Sequence, residues 1–131
     1  MSHRFLPHTA DLRAELRARD WPGLLGAGVD LVRDVLVDAC AVEPRDERRV
    51  ELPPGDEEEQ LFRFLRELVY LYDSEGFLPA AVAAGEPLRV RGEPFDPLRH
   101  RSERQVKAVT RHGFRLARDP EGYRAEVLFD L

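Results

Sequence analysis

Hydrophobic and polar residues take turns along residues 11–18. Leu12, Ala14, Leu16 and Ala18 fall on one side, and Asp11, Arg13, Glu15 and Arg17 on the other. A period of two marks a strand with one buried face. The period then changes. Asp20 and Pro22 suit a helix start, and Leu24, Leu25, Val29, Leu31, Val32, Val35 and Leu36 recur behind them at helical spacing. Gly23, Gly26 and Gly28 each weaken this helix by about 1 kcal/mol relative to Ala, so packing must supply what propensity does not. A short strand is expected at residues 48–52, and then a helix with a stronger start. Asp56 and Glu59 have capping-box spacing, and the acids from Asp56 to Glu59 complement the positive end of a helix. Leu61, Phe62, Phe64, Leu65, Leu68, Val69, Leu71 and Tyr72 give it a broad apolar stripe before Asp73-Ser74-Glu75-Gly76 ends it.

Short strands are expected at residues 77–83 and 88–92, and Pro94, Asp96 and Pro97 mark a loop. The last third reads as a hairpin. Val106, Ala108, Thr110, His112, Phe114 and Leu116 alternate with Lys107, Val109, Arg111 and Arg115. Asp119-Pro120-Glu121-Gly122 is strong turn chemistry. Beyond it, Tyr123, Ala125, Val127 and Phe129 share one face, and Arg124, Glu126, Leu128 and Asp130 the other. Strands and helices do not alternate regularly, which favours an α+β fold, two main helices packed on a largely antiparallel sheet. At 131 residues, the length suits one domain over residues 1–131.

Composition narrows the function. The chain is 43% hydrophobic, too apolar for disorder, and its net charge of −5 argues against a generic nucleic-acid coat protein. Cys40 is the only cysteine, which excludes an intrachain disulfide and a cysteine-based zinc site and suits a cytoplasmic location. No run approaches the roughly 18 apolar residues of a membrane span. Gly23-Leu24-Leu25-Gly26-Ala27-Gly28 matches neither a P-loop nor GxGxxG, and reads better as small-residue helix packing. Ser2, Ser74 and Ser102 lie in no nucleophile elbow, and His3, His8, His100 and His112 have no zinc spacing.

The carboxylates carry more. Asp11 opens the first strand, and Asp130 stands beside the terminal carboxylate of Leu131. If those strands are neighbours, three carboxylates converge and repel unless a cation compensates them. All-oxygen ligation suits Ca²⁺, Mg²⁺ or Mn²⁺. On pattern alone the commoner reading is plainer: Asp11 as a solvated strand residue, Asp130 and Leu131 as a frayed end. Arg99, Arg101, Arg104, Lys107, Arg111, Arg115 and Arg118 form the most basic segment, against Glu103 alone. It reads as a solvated strand face or a local positive face, and Lys107 stands out within its apolar and small surroundings.

These same residues resemble the archease family. Phe5-Leu6-Pro7-His8-Thr9-Ala10-Asp11 is similar to its "HTAD" signature. Val42-Glu43-Pro44-Arg45, the helix FRFLRELVYLYD, and Gly92-Glu93-Pro94-Phe95-Asp96-Pro97 with Arg99-His100 follow in family order. Val106-Lys107-Ala108-Val109-Thr110 with His112, and Leu128-Phe129-Asp130-Leu131, complete the series. Arg111 stands where many members carry an aromatic residue, and Arg101-Ser102-Glu103-Arg104-Gln105 replaces a glutamate-rich stretch, which makes this face more basic.

The resemblance implies an α+β fold with a strand-helix-strand-strand core. It further implies a cytoplasmic partner of the RtcB-type tRNA-splicing RNA ligase, one that promotes guanylylation and repeated turnover without joining RNA itself. RNA contact would be indirect or transient. By the same resemblance Asp11, Asp130 and the Leu131 carboxylate would bind a divalent metal, Ca²⁺ foremost, while Lys107, His8 and His112 would serve ligase activation. A chaperone-like or RNA/protein-binding module with a purely structural metal is the alternative. A small metal-dependent hydrolase would need a general base and a cleft for which the sequence offers no clear set.

Overall fold

The computed structural model describes residues 2–6, 11–38, 41–102 and 105–131. Its elements run β1 (Ser2–Leu6), β2 (Leu12–Ala18), α1 (Trp21–Leu36), β3 (Asp46–Val50), α2 (Glu57–Glu75), β4 (Phe77–Ala83), β5 (Leu88–Pro94), β6 (Ala108–Asp119) and β7 (Gly122–Asp130). The expected α+β architecture is present, with its strands divided between two sheets. One has the order β1-β2-β7-β6, the other β3-β5-β4, and every pairing is antiparallel. Strand β1 was not foreseen; it pairs with β2 along its length.

Local chemistry sets the helices. The Asp20 carboxylate accepts the Gly23 N–H at 2.8 Å and caps α1, and Asp56 does the same for Glu59 at 2.8 Å to start α2. Gly76, at φ 68°, closes α2 in the left-handed conformation, its N–H donating to the Leu71 and Tyr72 carbonyls. Of the glycines of α1, Gly28 serves packing as the sequence suggests, whereas a Cβ at Gly26 would meet nothing within 4 Å. A Cβ at Gly28 would lie 2.9 Å from Leu65 of α2.

Helix α1 touches β2 and β4, and α2 touches β6 and β4, so each helix meets both sheets. One hydrophobic cluster accordingly draws Leu16, Val127 and Phe129 from the first sheet and Leu78 and Val90 from the second. Leu24, Leu31, Phe64 and Leu68 join it from the helices.

The strict alternation expected before the last turn is broken in β6. Thr110 is opposite Leu128, yet Arg115 is opposite Glu126, so residues 111–114 bulge out against Val127. The bulge switches the facing of the strand. Val109 and Leu116, assigned to opposite faces by alternation, both pair with core residues, Phe129 and Ala125. Gly113, at φ 76°, takes the left-handed turn within it. The looped-out residues grip α2. Phe114 stands edge-on to Phe62 with centroids 5.2 Å apart, and Arg111 lies 4.1 Å over the same ring. Both Arg111 donors reach Glu59, at 2.6 and 2.9 Å.

Candidate functional site

Register brings the start of β2 and the close of β7 to the same end of the four-stranded sheet. Leu12 pairs with Phe129, so Asp11 just before it and Asp130 just after lie at the same end of neighbouring strands. Asp11 is half-buried at a bend, and Asp130 and Leu131 are exposed. Asp130 pairs in turn with Ala108, and the Lys107 N–H donates to the Asp130 carbonyl at 2.8 Å. The β2, β6 and β7 ends thus bring Asp11, Lys107, Asp130 and Leu131 to one end of the sheet.

His112 sits in the β6 bulge, where its N–H donates to the Thr110 hydroxyl at 3.1 Å. With Arg13, Glu126 and Leu128 it lines a shallow cavity of about 200 Å³ beside the acidic end. His8 lies outside the described residues, as do Cys40 and Arg104. Among the described residues no group of three His, Cys, Asp or Glu side chains is gathered as a metal site. Asp11 and Asp130, at adjacent strand ends, are oxygen donors, the ligand type that hard divalent cations favour.

The basic segment does not form one positive face. Arg99 turns into the protein toward Glu93, Arg111 binds Glu59 on α2, and Arg118 approaches Glu57 at 3.8 Å. Arg111 and Arg118 are drawn to carboxylates more than fifty residues away in sequence, which charge patterning along a strand cannot anticipate.

A second polar centre escaped the residue-by-residue reading. Glu93 is fully buried at the end of β5. One of its oxygens accepts from Arg45 at 3.1 Å and from Arg99. The other accepts the Glu43 N–H at 2.7 Å, Arg99 at 2.9 Å and His100 Nε2 at 3.1 Å. Because His100 Nδ1 accepts the Asp96 N–H at 2.9 Å, the ring proton sits on Nε2 and is donated to Glu93. The Arg99 guanidinium, helped by Glu43 N–H and His100, holds the Glu93 carboxyl far below the usual carboxylate range, against the opposing effect of burial. Gly92 beside it is obligatory, since a Cβ there would fall 1.8 Å from the Leu78 carbonyl oxygen. The available signal was the crowding of Gly92, Glu93, Arg99 and His100 within residues 92–100, the end of β5 and the loop after it.

Two helices bridging a pair of antiparallel sheets, with β2 and β7 paired along their length, define the class of protein to which this fold belongs. The chain belongs to the archease family: the profile described as Archease protein family (MTH1598/TM1083) matches residues 3–131. Protein archease of Methanopyrus kandleri is 32% identical over 135 residues, covering 96% of each chain, and that of Archaeoglobus fulgidus is 32% identical over 139 residues, covering 100% of each. Among solved structures, protein 1598 of Methanobacterium thermoautotrophicum superposes with a TM-score of 0.76 at 25% identity, covering 98% of both chains. An archease of Thermotoga maritima, described as a possible chaperone, shares the fold at TM-score 0.67 and 20% identity, with 96% of this chain and 94% of that chain covered. No helix among the described residues is long and apolar enough to cross a membrane.

Proposed function

We propose that this chain is a protein activator of an RtcB-type RNA ligase, using Asp11, Asp130 and the Leu131 carboxylate to hold a divalent cation, Ca²⁺ foremost, at the surface offered to the ligase. The observation that supports this most is the pairing of Leu12 with Phe129, which gives Asp11 and Asp130 a common strand end. Two aspartates on adjacent strands repel each other and gain from a shared positive charge. Asp130 is exposed, so its carboxylate is accessible to a partner. The Lys107 N–H fixes the Asp130 main chain, and the exposed Lys107 ammonium adds a phosphate-seeking donor at the same edge. When bound, the cation supplies neutralisation of phosphate oxygens as the ligase accepts its nucleotide. In this reading the chain does not itself join RNA; its residues orient charge for the ligase.

The test is guanylylation of the ligase from labelled GTP with substoichiometric amounts of this protein. Wild type is expected to accelerate the reaction, while Asp11→Ala and Asp130→Ala abolish the acceleration and melt as cooperatively as wild type. Full activation by either variant would sink the proposal. A chaperone-like module with a structural metal is the second reading, favoured by the description of the Thermotoga maritima protein as a possible chaperone. It predicts that EDTA lowers the melting temperature strongly; the activator reading predicts lost activation with little change in melting.

A further inference from the structure

The outer face of the four-stranded sheet is ruled into rows by the strand registers. Arg17 is opposite Arg124, with Ser2 and Ala117 flanking them. The next row reads Arg4, Glu15, Glu126, Arg115, and the one after it Arg13, Leu128, Thr110. Among the described residues, five arginines therefore stand on this face with only Glu15 and Glu126 among them, an excess of three positive charges in a chain whose net charge is −5.

The two glutamates organise the face without neutralising it. Glu15 is held by Arg17 at 2.8 Å and Arg4 at 3.3 Å, and Glu126 by Arg13 at 3.2 Å. Arg4 and Arg17 nonetheless keep 68% and 55% of their side chains exposed, so both still offer donors to solvent. Arg115 and Arg124 are exposed and make no ion pair among the described residues. Arg17 and Arg124 are like charges placed directly opposite each other, an arrangement that destabilises a sheet unless something anionic covers it. Acids bound the patch rather than fill it: Asp119 and Glu121 beyond one end, Asp11 and Asp130 at the other.

We infer that this face binds the phosphodiester backbone of RNA without reading its bases. Every cation on it is an arginine, whose planar fork matches phosphate oxygens in pairs. Strands about 4.8 Å apart present those forks as a flat lattice. An acidic protein partner fits less well, because stable protein interfaces need a buried apolar or aromatic anchor, and Leu128, at 7% exposure, offers none. No aromatic side chain is among the described residues of these rows, so bases have no platform to stack on. The choice of RNA over DNA rests on the proposed ligase reading; the choice of a phosphate backbone does not.

The measurement is fluorescence anisotropy of a labelled oligouridine of about twenty nucleotides titrated with the full chain, at salt from about 50 to about 200 mM. Wild type is expected to bind with steep salt dependence. Arg115→Ala/Arg124→Ala removes two side chains that hold no ion pair in the fold. It should bind about tenfold more weakly, with the slope of log affinity against log salt reduced by about 1.4. Arg49→Ala/Arg89→Ala makes the same charge change at exposed, paired positions on the other sheet and should bind as wild type does. The inference is overturned if wild type does not bind at the lowest salt, or if the two double variants lose affinity equally. It is equally overturned if Arg115→Ala/Arg124→Ala keeps RNA affinity but loses association with the ligase, which would assign the face to a protein. Guanylylation requires no RNA, so that assay can succeed or fail independently.

Discussion

Glu93 and Asp130 are both carboxylates at the end of a β-strand, and they sit in opposite surroundings. Glu93 is buried with its oxygens filled by Arg45, Arg99, His100 and the Glu43 amide. Asp130 is exposed, and its carboxylate meets no cation among the described residues, although its main chain is bound on both sides. A carboxylate saturated by its own protein has no lone pairs left for a ligand and must act as structure. One whose backbone is fixed and whose oxygens face solvent is placed for something from outside. Chemical type does not separate the two; the supply of donors does.

Removing Glu93 should produce the largest effect on stability. Glu93→Ala leaves Arg99 and the Glu43 amide without their partner, and breaking such a pair costs at least about 3 kcal/mol, the low end because Arg99 stays partly exposed. Thermal unfolding would measure it, and a loss within experimental error would show that the buried cluster is not structural. Gly92→Ala should follow, at about 2 kcal/mol, because the new Cβ cannot avoid the Leu78 carbonyl without moving β4 from β5.

Acid should act on the same cluster. Glu93 is depressed in the folded state, so its stabilisation is complete above the ordinary carboxylate value of 4.5 and is lost as pH falls below it. Glu59, held down to about 2 by Arg111 and then Arg63, contributes in the same direction between 4.5 and that value. Denaturant melts from pH 7 to pH 3 should therefore fall more steeply for wild type than for Glu93→Gln; parallel curves would contradict the assignment. The smallest effect belongs to Arg111→Ala. Its pair with Glu59 is on the surface, so the loss should be slight and should shrink further in high salt, whereas that of Glu93→Ala should persist. Equal salt sensitivity would erase the distinction between the two pairs.

Much of this was legible from residue order. Both N-caps, the apolar stripes of the helices and the alternation in β2 and β7 follow from short-range chemistry, and they appear as expected. The β6 bulge was not legible, because residues 106–116 alternate smoothly and only tertiary grip on Phe62 and Glu59 pulls Arg111 and Phe114 out of line. Glu93 was hidden for a related reason: its partners come from two segments, residues 43–45 and 99–100, and burial of a carboxylate cannot be read before they assemble. The division into two sheets likewise depends on which strands pair, a long-range choice. For the candidate site, spacing alone favoured a solvated Asp11 and a frayed terminus; family likeness named Asp11 and Asp130, and register sets them at the same end of adjacent strands.

Calorimetric titration of Ca²⁺ into metal-free wild type, Asp130→Asn and Glu93→Gln addresses the contrast directly. One ion should bind each wild-type and each Glu93→Gln chain, while Asp130→Asn, folded and melting normally, should bind at least about tenfold more weakly. Unchanged affinity in Asp130→Asn, or no binding by wild type to Ca²⁺, Mg²⁺ or Mn²⁺, would contradict the account.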